Sequence, residues 1–489
     1  MSDLADNITG AQTSTQDTAL RKNSLGLSEV LFQSITSMAP ASAVCASLPP
    51  AVPLAGAALP ISVVMATIAC TLIASSIGQL AIHIPSAGGL YTYISRSLGD
   101  RLGFMGAWAF LLAQPLLLPL VALIWGPYLE ILVKTLTGVD INWIVWVVLG
   151  HIGLSLLTYY GIQLSTKTSV VLGIIEIIVI LALSFTMIFG APNDLATFTP
   201  IYAPHGWNSI FQGLIFVFLA FVGFEASAPL GEETANPKRN IPRAMIYSAL
   251  GIGIFYVLAA YASVIGWGIP KIGAFGNSAA PWNDLAQKFW GGIGPIIITF
   301  ALINSTLANG NAGINATTRV MYAMGRIGSL PRGFARLSAY QTPTIGIAVQ
   351  SIGSLVIALG TGLIFGTTNA FGLVGTVIAI NMALLYITSC ISSFVFYRRE
   401  RRQDFRVVQH VIVPLIPLIL LCFVLYAQVI PVPPYPLNLA APIVVIWLVL
   451  GALYMLYLQR TNPAALKQGK ETFLNDQESE PVDLGQALL

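Results

Sequence analysis

Charge is what this chain has least of. Asp, Glu, Lys and Arg make up 9% of its 489 residues against 56% hydrophobic ones. A water-soluble globule of this length could not keep such a composition in solution. Basic residues number 23 and acidic ones 20, so no overall basic field invites nucleic acid. Cysteine is scarce, and Cys45, Cys70, Cys390 and Cys422 all fall in apolar runs. They read as small buried side chains rather than disulfides or metal ligands. Histidine is as scarce: His83, His151, His205 and His410 stand far apart in the sequence, with span ends as the expected home for most of them. Neither a metal site nor a cofactor is expected. Enzyme signatures are missing as well, with no His-Glu-x-x-His, no Gly-x-Ser-x-Gly and no phosphate loop ending in Gly-Lys-Ser/Thr.

Long apolar runs are what the chain has in abundance. About 20 apolar residues cross a bilayer as a helix. Such runs lie near 28–48, 58–82, 102–133, 142–161, 165–190, 209–230, 243–269, 292–325, 344–365, 368–397, 411–430 and 439–458. The fold class is therefore all-α, a polytopic membrane protein with twelve spans in the lipid bilayer. The third and eighth runs are long enough to imply tilt or an irregular end. With the N-terminus cytoplasmic, only Lys134, Lys271 and Lys288 of the 23 basic residues fall outside. The positive-inside rule then places both termini in the cytoplasm. Trp143, Trp146, Trp207, Trp267, Trp282 and Trp290 cluster towards the predicted outer interface, as an aromatic belt does. Residues 1–24 and 459–489 are polar and read as disordered cytoplasmic tails. The first has no apolar core for a cleavable signal peptide, and its Asn7-Ile-Thr glycosylation triplet is discounted because it lies on the inner side.

Two spans are interrupted. In the first, Pro40 has no N–H and its ring clashes with the carbonyl four residues back, so the Thr36 carbonyl is expected to lose its helical partner. Nothing in lipid replaces that partner, so the segment must be buried or line a wet cavity. The half-helix starting near Ala41 is expected to offer free N–H groups to a carboxylate, and the one ending near Ser37 to offer carbonyls to an ammonium or Na⁺. In the sixth span Gly223 permits a non-helical backbone. Two residues on, Glu225 places a carboxylate within the membrane, at a cost of about 3 kcal/mol or more unless it faces a protein-lined space. Pro229 frees the Glu225 carbonyl besides.

These two spans head two blocks of five helices, the arrangement of an inverted repeat with its site at the interface. On this reading residues 25–190 form the first repeat and 191–397 the second, with 398–458 supplying two further helices.

The residues around the second break carry a family resemblance. Phe218-Leu-Ala-Phe-Val-Gly-Phe-Glu225, followed by Glu232-Glu-Thr-Ala-Asn-Pro-Lys-Arg-Asn-Ile-Pro-Arg243, resembles the sixth-helix signature of the amino acid–polyamine–organocation permeases. Pro85-Ser-Ala-Gly-Gly-Leu-Tyr-Thr-Tyr93 is similar to that family's loop after helix two, and Arg319-Val-Met-Tyr-Ala-Met-Gly-Arg326 to the end of its helix eight. The resemblance covers roughly 25 to 400. It implies a twelve-helix carrier with a five-plus-five inverted repeat that moves amino acids or amines by alternating access. It places substrate contacts in the unwound parts of helices one and six, here Ser37, Met38, Ala41, Ser42, Ala43, Phe218, Phe221 and Gly223. The chain departs from the family twice. Pro40-Ala-Ser42 stands where members commonly carry Gly-x-Gly. Aligning Gly161-Ile-Gln-Leu-Ser165 to the family's helix-five start puts Glu176 where many sodium-independent members carry lysine.

Glu176 has no basic side chain within two turns in its own helix. It is a candidate proton carrier, or the counter-ion of a cationic substrate or Na⁺; the alternative is a neutral acid hydrogen-bonded between helices. Glu225 divides in the same way between gating and a permanent helix link. Glu232 and Glu233 are expected to pair with Lys238, Arg239 or Arg243. In helix eight Asn304, Asn311, Asn315 and Arg319 share one face. Asn304, Asn311, Ser305 and Thr306 are candidates for an ion or polar stripe, or for packing glue. The expected partners are a small amino acid or amine and H⁺ or Na⁺. The reading is a multi-pass cell-membrane secondary transporter, proton-coupled or exchanging. Its alternatives are a Na⁺ symporter, a polyamine carrier, or a channel or substrate-sensing receptor on the same scaffold.

Overall fold

The computed structural model describes residues 20–278 and 280–468, with the backbone alone at 162–166, 168, 169 and 215. Residues 1–19, with the Asn7 triplet, and residues 469–489 lie outside the described residues. Among those described there is no strand, only the isolated bridges Leu25–Thr234 and Leu337–Pro343. The main helices in chain order are α1 (Leu27–Ser47, interrupted), α2 (Leu59–His83), α3 (Asp100–Thr137), α4 (Trp143–Tyr159), α5 (Ile162–Gly190) and α6 (Trp207–Leu230, interrupted). They continue as α7 (Pro237–Trp267), α8 (Gly294–Arg326), α9 (Thr344–Phe365), α10 (Thr367–Arg399), α11 (Val413–Val429) and α12 (Ala440–Thr461). Eleven stretches among the described residues are long and apolar enough to cross a membrane, and α4, with 17 residues, is a shorter apolar helix.

Backbone satisfaction explains how the long α3 stays continuous. Pro115, Pro119 and Pro127 lie inside its 38 residues. Pro119 removes the N–H that would serve the Pro115 carbonyl, a loss lipid cannot repair. Gln350 of α9 supplies the missing donor, its Nε2 lying 3.0 Å from the Pro115 oxygen. The eighth run shows the irregular end that its length implied: a short helix, Pro281–Trp290, precedes α8 and is separated from it by a tight turn at 291–293.

α3 and α6 are among the most buried stretches, and α11 and α12 are the least. Ile416, Ile419, Val445, Ile446, Val449 and Leu453 project outward from the last two, an apolar face suited to lipid rather than water. α12 is tied to α3 by reciprocal bonds. Trp108 Nε1 donates to the Trp447 carbonyl at 2.8 Å and Trp447 Nε1 to the Trp108 carbonyl at 2.7 Å, with the rings stacked 4.8 Å apart.

Several expectations are corrected here. Cys45, Cys70 and Cys390 are buried, but Cys422 is exposed on α11, where an apolar thiol meets lipid at little cost. Trp282 is packed inside the protein rather than facing outward. Of the four histidines only His151 departs from a span end, in the middle of α4; His83 ends α2 and His410 lies just before α11, the two flanking the Tyr397 ring at 5.7 and 3.7 Å. The inner parts of both tails are packed: Leu20 is buried, and Pro463–Lys467 is a helix that buries Leu466.

Candidate functional site

Pro40 breaks α1 as the sequence implies, but the unpaired groups differ from those expected. Ala39 adopts a left-handed conformation, φ 48°, which costs a side-chain-bearing residue about 1–2 kcal/mol. This tight turn lets the Ala39 N–H donate to Thr36 O at 3.0 Å, so the Thr36 carbonyl keeps a partner. The carbonyls left over belong to Ser37 and Met38. Asn309 Nδ2 of α8 donates to Ser37 O at 2.5 Å, and the Tyr256 hydroxyl of α7 to Met38 O at 2.8 Å. The N–H groups those carbonyls would have received are not free for a ligand. Ala41 N donates to Glu176 Oε2 at 3.3 Å and Ser42 N to Ser305 Oγ at 3.1 Å. Glu176 thus caps the second half of α1.

α6 breaks against this point. Val222 is extended and Gly223 has φ 122°. A Cβ on Gly223 would lie 2.5 Å from the Ser37 carbonyl oxygen, so only glycine permits the approach. The chain continues as a tight 3₁₀ turn, Phe224–Leu230, whose start is fixed by Ser34 Oγ donating to Phe224 O at 2.6 Å. Glu225 is fully buried. It accepts from Gln114 Nε2 of α3 at 2.5 Å, from Gly223 N at 3.1 Å and from the Tyr386 hydroxyl of α10. Tyr256 also lies 3.0 Å from Ala220 O, so one phenol touches both breaks.

A cavity lies between the breaks. Ser37, Met38, Ser42, Ala43 and Asn309 line it from α1 and α8, and Leu117, Leu120, Val121, Ile124, Leu219, Val222 and Phe371 from α3, α6 and α10. Ala41, Phe218, Phe221, Gly223, Glu176 and Glu225 are not among its lining residues. Phe218 packs edge-on against Tyr386 and Phe221 against Tyr256, so both brace the break from behind. The other α8 candidates split up. Asn304 Nδ2 reaches Leu172 O of α5 at 2.7 Å, Thr306 Oγ1 donates to Ile303 O of its own helix at 2.7 Å, and Asn311 Oδ1 accepts from Thr158 at 3.2 Å. Sequence reasoning missed Tyr256, Gln114, Tyr386 and the α3 face. Gln114, a lone carboxamide beside Pro115 in an apolar run, was the one signal that pointed to them.

One end of the bundle is closed by ion pairs. Glu233 pairs with Arg319 at 3.0 Å, both fully buried, and Glu232 with Arg326 at 2.6 Å. The partners come from α8 and not from the basic run 238–243, because the 3₁₀ turn carries both carboxylates inward. Glu232 also accepts from Ala87 N, and the Glu233 carbonyl from Ser24 N and Leu25 N at 2.9 and 3.1 Å, so the N-terminal segment joins the closure.

An all-helical bundle with two interrupted apolar helices abutting at a cavity is the architecture of a polytopic membrane protein. The family model described as Amino acid permease matches residues 29–467, and the chain belongs to that family. It is similar to the branched-chain amino acid permease BcaP of Bacillus subtilis (strain 168), at 27% identity over 67% of this chain and 74% of that protein. It is also similar to the low-affinity putrescine importer PlaP of Escherichia coli (strain K12), at 30% over 64% of this chain and 71% of that one. The methylthioribose transporter of B. subtilis matches at 26% over 75% and 79%.

Proposed function

We propose that this permease is a secondary active transporter of an amino acid or related amine, working by alternating access across the cell membrane. On this reading α4 completes twelve spans, both termini are cytoplasmic, and residues 25–190 and 191–397 are the inverted repeats. The observation that carries it is the meeting of the α1 and α6 breaks, where Gly223 presses on Ser37 beside a cavity. Unwound backbone at membrane depth belongs where cargo is held. The ion pairs of Glu232 and Glu233 act as the closed cytoplasmic gate. Coupling is assigned to H⁺ rather than Na⁺, with Glu176 as the carrier: it caps the second half of α1, one of its oxygens has no hydrogen-bond partner, and no basic side chain among the described residues pairs with it. The test is uptake by the purified protein in liposomes with imposed H⁺ or Na⁺ gradients. Saturable, H⁺-driven accumulation with counterflow is expected. A non-saturating current would turn the reading towards a channel.

A further inference from the structure

The cavity has two unlike walls. On the α1 and α8 side, Ser37 Oγ and Asn309 Oδ1 belong to residues 1% and 3% exposed, and neither oxygen has a hydrogen-bond partner. Leaving such atoms unpaired is costly, and an ammonium with its three N–H donors satisfies them. On the α3 side, Leu117, Leu120, Val121 and Ile124 follow helical spacing along one face, joined by Leu219 and Phe371. No Asp, Glu, Lys or Arg is among the lining residues. Glu225 is engaged by Gln114, Gly223 and Tyr386, and Glu176 by Ala41.

Resting on the carrier reading above, we propose that the cargo is a neutral amino acid with an aliphatic side chain. Its ammonium sits between Ser37 Oγ and Asn309 Oδ1, and its side chain lies on the Leu117–Ile124 face. A diamine or a basic amino acid would bring a second cation against that face, desolvated and without a counter-charge, and an acidic one would bring a second carboxylate against it. Selection then works by rejection of a second charge as much as by attraction of the aliphatic group.

The experiment is uptake of labelled leucine, alanine, lysine and putrescine by the full chain in liposomes, with cross-competition. Leucine is expected to accumulate, isoleucine to compete with it, and lysine, glutamate and putrescine not to compete even at about tenfold higher concentration. Accumulation of putrescine or lysine without leucine would overturn this inference and leave the carrier reading standing. Accumulation of none of the amino acids or amines would remove both. In the Leu120→Ala variant the apparent affinity for leucine is expected to fall about tenfold, with that for alanine unchanged. An equal fall for both would separate the α3 face from the cargo's side chain and overturn the assignment.

Discussion

At Glu176 a side chain does the work of a backbone carbonyl. Pro40 displaces the carbonyls of Ser37 and Met38 from the helix axis, and the N–H groups behind them are taken up by a carboxylate and a hydroxyl. Glutamine keeps an acceptor at that place but cannot exchange a proton. Glu176→Gln is therefore expected to fold normally and to carry cargo by exchange, while losing its response to an imposed H⁺ gradient, measured as uptake at two external pH values. Unchanged gradient dependence would leave Glu176 a cap alone. Gly223 is constrained on two counts, φ 122° and the Ser37 carbonyl against its Cα. Gly223→Ala is expected to cost about 1–3 kcal/mol of stability and to abolish uptake, read by thermal melting in detergent and by transport. Both breaks were legible because proline and glycine announce backbone departures. The partners of Glu232 and Glu233 were not, since nearness in sequence favoured 238–243 and the true pairs lie 94 and 86 residues away.

Hydropathy located the main helices to within a few residues, because the length of an apolar run is set by the bilayer and needs no tertiary context. Which face of each helix turns inward was harder to read. Leu117, Leu120, Val121 and Ile124 line a cavity, yet their residue types match those of Ile416, Ile419 and Val449, which face outward. Residues beside lipid and residues beside an apolar hollow look alike on paper. The pairing of α9 with α3 was hidden too, since it depends on a carbonyl freed by Pro119. Gln350→Leu leaves that carbonyl without a donor and is expected to lower stability by about 1–3 kcal/mol. Melting temperature in a fixed detergent is the measurement; no change would mean that water or a neighbouring group replaces the amide.

Across the whole molecule, the buried Arg319–Glu233 pair joins α8 to the segment that follows the α6 break. Removing one partner leaves an uncompensated charge, and Arg319→Met is expected to destabilise the protein by about 3–5 kcal/mol. Replacing both, Arg319→Met with Glu233→Met, is expected to recover most of that stability while transport stays impaired, because the closure is no longer built to open. Equal stability of the single and double variants, by thermal melting, would show that the two charges do not depend on each other.

Tyr256 carries a consequence for how loading and motion are joined. Its hydroxyl has a single hydrogen, yet two main-chain oxygens, of Met38 and Ala220, lie within reach of it. If the two unwound segments drew apart, one of those oxygens would be left bare in a dry interior. An incoming –NH₃⁺ has hydrogens to spare and could take over the abandoned oxygen. On the carrier reading proposed above, an empty protein would resist separation and a filled one would not, which would tie movement to occupancy through a shortage of one proton.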